Sequence, residues 1–194
     1  DGERPKEIED SLLLSFQTKN GREVKDGRGV EPDVKIEEDQ FSRLTAMLVV
    51  ENIMFDFATD FALNNPKIDA PDVFQLSDET YEQFKKFAIG KEFTYTTASE
   101  EMLNKLMDVA ENESYLTKET PEYKAMYALV HPSKERDLEK FKDEIIELLE
   151  NEIVSRYYYQ KGRIINSFKY DETMVEAQKV LSDLTRYQNI LSGK

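Results

Sequence analysis

A serine becomes a nucleophile only when a neighbouring base takes its proton, and a lysine serves as that base only when burial lowers its pKa. The compact Ser-x-x-Lys spacing is absent: Ser11 meets Leu14, Ser15 meets Thr18, Ser99 meets Met102, Ser133 meets Arg136 and Ser155 meets Tyr158. No Gly-x-Ser-x-Gly elbow is present either. His131 is the single histidine, so a Ser/His/Asp arrangement could be built only around it. It stands directly before Pro132, at the edge of an expected helix, which favours a structural or merely exposed role. No catalytic residue is assigned.

Metal and nucleotide chemistry find no better footing. With no cysteine and one histidine, the usual zinc spacings and iron-sulfur ligation are excluded. A calcium loop needs carboxylates at alternate positions, and Asp26-Gly27-Arg28-Gly29-Val30-Glu31 puts Arg and Val where oxygens are required. A dinucleotide fingerprint on Gly27 and Gly29 would need a third glycine where Pro32 stands. No cofactor or metal ligand is expected.

Composition narrows the partners. Forty acidic residues against 26 basic give the 194-residue chain a net charge of −14, which repels phosphate backbones and anionic lipid, so nucleic acid is not an expected partner. No stretch approaches the about 18 uninterrupted apolar residues of a membrane span. With 39% hydrophobic residues there is material for a core.

The elements that must position any functional group are helical after the first few dozen residues. From about Asp39 to Asn64, Phe41, Leu44, Leu48, Ile53, Phe57 and Leu63 recur near helical spacing, and Asn64-Asn65-Pro66 ends the run. Ser77 can cap a helix to about Gly90 that buries Tyr81, Phe84 and Phe87 or Ala88. Thr97 and Glu100 form a capping box before Met102, Leu103, Leu106, Met107 and Ala110, and Thr120-Pro121 opens a short helix to about His131. A helix from Ser133 to about Lys161 carries Leu138, Phe141, Ile145, Leu148, Leu149 and Ile153 on one side, with Glu139, Lys140, Glu144, Glu147 and Glu150 on the other. After a bend near Gly162, Met174, Ala177, Leu181, Leu184 and Leu191 stripe a last helix to about Ser192, broken at Gln188. Leu184 is expected mid-seam between antiparallel terminal helices.

Tyr157, Tyr158 and Tyr159 are consecutive, and three successive helical residues fan across about 200°, so one core cannot bury them all. Arg156, Lys161, Arg163 and Lys169 surround them, a basic aromatic patch on an acidic chain. Two readings stand: tyrosines packed between helices with their hydroxyls at the edge, or a docking surface made of Arg156, Tyr157, Tyr158, Tyr159 and Arg163.

Near the start, Lys19-Asn20-Gly21-Arg22 is followed by a polar run, then Asp26-Gly27-Arg28-Gly29-Val30-Glu31-Pro32-Asp33 and the alternation of Val34 and Ile36 with charged residues. By itself this reads as a surface hairpin: Asp26-Gly27 is a hairpin signal, Pro32 pushes Glu31 toward extended backbone, and Val34 and Ile36 alternate as in a one-faced strand. The same string, with Glu9-Asp10-Ser11-Leu12-Leu13 and Phe16 before it, resembles the segment that closes the catalytic domain of the C-terminal processing peptidases, the tail-specific serine proteases. The resemblance covers about Asp10–Ile36 and departs from the family pattern where Lys19-Asn20 replaces a Pro-Ser pair.

That resemblance implies a mainly α chain, a helical bundle preceded by a short β hairpin that would complete the peptidase sheet. Residues 1–38 would end the catalytic core and residues 39–194 would form a C-terminal helical domain. The family's serine nucleophile and lysine base precede the Gly-Arg strand, so the chain is expected to be a C-terminal portion, non-catalytic by itself, with a scaffolding, substrate-positioning or self-association role. Its expected partners are the upstream peptidase core and protein substrates, with a homo-oligomer as a further option. The expected location is the periplasm or cell envelope of a Gram-negative bacterium. A stand-alone helical protein–protein interaction module is the competing class.

Overall fold

The computed structural model describes residues 13–19, 21–26, 32–36 and 40–192. Two compact units divide the chain: Asp39–Tyr170, and a second drawn from Asp1–Glu38 with Asp171–Lys194. As expected, the chain is mainly helical with a short antiparallel hairpin at its start. Among the described residues, no helix is long and apolar enough to cross a membrane.

In the second unit β1 (Ser15–Gln17) pairs with β2 (Glu23–Lys25), Phe16 opposite Val24. The turn lies between Thr18 and Arg22, closed by Thr18 N–H to Arg22 O at 2.8 Å and Gly21 N–H to Thr18 O at 2.9 Å. Gly21 supplies the positive φ, +82°, that a side chain would resist. The turn expected at Asp26-Gly27 runs into Gly27 and Gly29, which lie outside the described residues; Asp26 itself extends the ladder, its N–H to Leu14 O at 3.1 Å and its Oδ1 accepting from Leu14 N–H at 2.8 Å. Val34 and Ile36 are not in a strand. Alternation favours a strand only where a partner backbone accepts its hydrogen bonds, and Asp33 is bent toward Arg22, which its carboxylate pairs.

All six strand residues are exposed. A two-stranded ribbon with no buried face is marginal in water, so its amides are expected to exchange with solvent orders of magnitude faster than those around Ile145–Ile153. Hydrogen exchange read by mass spectrometry checks this. Equal protection would show that the hairpin is held by more than its own ladder.

The same unit contains α8 (Glu172–Ser182) and α9 (Leu184–Ser192), which pack on each other. The single last helix expected to about Ser192 is two, divided at Asp183, whose carboxylate caps α9 by accepting from Arg186 N–H at 3.0 Å. Neither helix contains a buried residue, and Leu184 is 70% exposed, so it is not the seam residue its spacing promised.

The larger unit runs α1 (Arg43–Val50), α2 (Ile53–Asn64), α3 (Asp78–Ile89), α4 (Ala98–Asn112), α5 (Pro121–Val130), α6 (Lys134–Lys140) and α7 (Lys142–Ser167). The single helix expected from Asp39 to Asn64 is two, because Asn52 takes a left-handed conformation (φ 57°), which asparagine tolerates better than most residues. Likewise Phe141 separates α6 from α7. Ser77 caps α3 by accepting from Thr80 N–H, and Thr97 caps α4 by accepting from Glu100 N–H at 3.0 Å, both as expected. Met102 and Leu106 of the α4 stripe are exposed, while Leu103, Met107 and Ala110 are buried.

The core joins α1, α2, α3, α6 and α7 through Leu44, Leu48, Phe57, Phe84, Leu138 and Ile145. The Phe57 and Phe84 rings meet edge to face at 5.2 Å. Tyr81, fully buried beside them, donates its hydroxyl to Leu138 O, and burial first, then the carboxylates of Glu139 and Glu82, hold that phenol well above its ordinary range.

Candidate functional site

Helix α7 is not straight. Asn151 and Asn166 are 15 residues apart, about 22 Å along a continuous helix, yet Asn166 Nδ2 donates to Asn151 Oδ1 at 2.9 Å. The chain reverses at Tyr159, whose φ of 55° and ψ of −157° are the one non-helical pair inside α7. A first arm to Tyr158 and a return arm from Gln160 therefore lie side by side. The bend expected near Gly162 is three residues earlier. Gly162 serves the packing instead: a Cβ there would overlap the Tyr158 Cβ and press on Val154 Cγ1 at 3.1 Å, so only glycine allows the arms this close.

Around the reversal the side chains hold the α2–α3 loop. Tyr157 donates its hydroxyl to Asn65 O, Tyr158 donates to Ile68 O at 3.3 Å, and Lys169 donates to Phe74 O. Glu150, 1% exposed, completes the clamp. Its Oε1 accepts from Leu76 N–H at 2.7 Å, and its Oε2 accepts from Lys169 Nζ at 2.7 Å and the Tyr170 hydroxyl at 2.8 Å. Burial, followed by the bond to Glu150, raises the Tyr170 phenol far above its usual range, so it stays a donor. The sequence placed Glu150 on the solvent side. It sits one position past Leu149 at the edge of the apolar stripe, and its partners arrive only because the chain doubles back.

The five residues of the expected docking surface divide by direction. Arg156 stays within the chain: Nη1 pairs Glu152 Oε2 at 3.0 Å, Nη2 donates to Phe55 O at 3.1 Å, and the guanidinium lies 4.3 Å from the centre of the Phe55 ring. Tyr157 is half-buried, and burial raises its phenol. Tyr158 is 36% exposed and Tyr159 is 79% exposed. Arg163 is exposed and makes no ion pair among the described residues. Tyr159 at the reversal and Arg163 just past it are thus the exposed members, with exposed Ile164 and Phe168 following them on the return arm. This combination of an aromatic ring, a guanidinium and apolar side chains is suited to a protein contact.

Two open clefts border the core. One of about 480 Å³ is lined by Phe61, Lys67, Ile68, Phe74 and Leu76 under the clamped loop, and one of about 350 Å³ by Arg43, Tyr95, Ser99, Leu129 and Glu144. Neither places a serine against a base. Among the described residues no serine hydroxyl bonds a lysine or histidine, and no carboxylate and histidine cluster has metal-ligand geometry. His131 Nδ1 lies 2.6 Å from Glu100 Oε1, with its ring stacked on Tyr127 at 4.8 Å. The Glu100 side chain thus faces His131, leaving the capping box with its Thr97 half.

The family model described as "Probable PDZ-protease, C-terminal helical domain" matches residues 44–181, most of the chain. No curated protein and no solved structure matches.

Proposed function

This chain belongs to the family of C-terminal helical domains of probable PDZ-proteases, and from that premise we propose that it is a non-catalytic domain that docks on, and positions, the peptidase core of its own protein. The family match over residues 44–181 carries this reading. The chemistry belongs to the core: a serine nucleophile with a lysine base, acting on protein substrates in the periplasm or cell envelope, is what the resemblance of the Asp10–Ile36 segment implies. The helical domain supplies a scaffold, and its contact with the core is the tip of α7. In support, Tyr159 and Arg163 are exposed, whereas Tyr157 and Tyr158 hold the α2–α3 loop and Arg156 is occupied by Glu152 and by Phe55 of α2.

Hot-spot residues of this type are worth at least about 2 kcal/mol each in association when buried by a partner. The double variant Tyr159→Ala, Arg163→Glu is therefore expected to weaken binding to a separately expressed peptidase core by more than about tenfold. Thermal melting should shift little, since neither side chain is buried in its own chain. A pull-down paired with a melting curve reads both. Undiminished binding by a folded variant would remove the tip from the contact.

A further inference from the structure

Tyr159 turns the chain alone. Its φ of 55° and ψ of −157° lie in a region that residues with a side chain enter only under strain, and its own ring, 79% exposed, finds little packing in return. The contacts that hold the reversal closed all lie beyond it: Asn166 on Asn151, Lys169 and Tyr170 on Glu150, and Lys169 on Phe74 O. Both arms are already helical, and Arg156-Tyr157-Tyr158-Tyr159-Gln160-Lys161-Gly162-Arg163 contains no proline. A helix running straight through Tyr159 is a local alternative that relieves the strain.

Within one chain, straightening would strip the Glu150 carboxylate and the Asn151 amide of their partners. Between two chains every one of those bonds survives, because the return arm of each copy can lie on the first arm of the other. Short hinges under strain favour this exchange, which makes a dimer out of contacts the monomer already has. We infer that two copies of this chain exchange residues 160–170 through a straightened helix, a dimeric state distinct from the reversed monomer whose tip contacts the core.

One substitution shifts the balance: Tyr159→Gly relieves the positive φ and lets the reversal stand, so it favours the monomer.

The full chain is refolded at high concentration and its mass is read by light scattering. Exchange is identified by co-refolding two differently tagged chains, one Asn151→Cys and the other Asn166→Cys, and treating them with a short bis-maleimide. The chain has no cysteine of its own to confuse the result. The expected result is a dimer fraction with a 151–166 crosslink between chains, lowered several-fold by Tyr159→Gly. Monomer in both the unaltered chain and Tyr159→Gly, the same dimer fraction in both, or dimers without the crosslink between chains, would overturn the inference.

Discussion

Glu150→Ala is expected to lower stability by about 3 to 5 kcal/mol, the range seen when one partner of a buried, hydrogen-bonded ion pair is removed. Three donors lose their acceptor at once: Leu76 N–H, Lys169 Nζ and the Tyr170 hydroxyl. Lys169 is the costly one, because its side chain is about four-fifths covered and its ammonium would lose the carboxylate beside it. Glu150→Gln should cost less, on the order of 1 to 3 kcal/mol, since an amide oxygen still accepts a hydrogen bond while the charge that pairs Lys169 is gone. Urea denaturation of both variants gives the comparison. A loss under about 1 kcal/mol for Glu150→Ala, typical of an exposed ion pair, would show that the clamp on the α2–α3 loop contributes little.

Phe84→Ala is expected to cost about 3 to 5 kcal/mol through lost burial and the cavity it leaves. Phe84 is fully buried and touches the Phe57 and Tyr81 rings at 5.2 and 6.2 Å between centres, so no neighbour on α2 or α3 can collapse into the space without leaving its own contact. Leu184→Ala is the matched contrast. Although Leu184 follows the same helical spacing, its 70% exposure limits the effect to about 0.5 kcal/mol. Thermal melting of the pair separates the two cases, and similar losses would mean that the C-terminal helices are covered by apolar packing after all.

That contrast shows what the order of residues could and could not reveal. Caps are local, and Ser77 and Thr97 behave as their types dictate because acceptor and amide are three residues apart. The stripe through Leu138, Ile145, Leu149 and Ile153 is buried as its period requires. Periodicity identifies a face without identifying what covers it, and Leu181, with the right spacing, is 63% exposed. The reversal at Tyr159 left no local signal, since glycine is the residue usually found at such angles and the glycine present is three positions on, serving the close approach of the arms. The fan of three tyrosines was legible: Tyr157, Tyr158 and Tyr159 are progressively more exposed. Their targets, Asn65 O and Ile68 O, lie about 90 residues away in sequence and follow only from the fold.

As proposed above, these residues serve a peptidase without being its catalytic machinery. The deciding measurement incubates the purified chain with an unfolded protein and with peptides carrying free C-termini, alone and joined to the peptidase core. No cleavage above buffer background is expected from the chain alone, because no serine of the described residues meets a lysine or histidine base. Turnover is expected once the core is restored. Cleavage by the isolated chain that persists through purification and disappears when one of its own serines is replaced by alanine would contradict it.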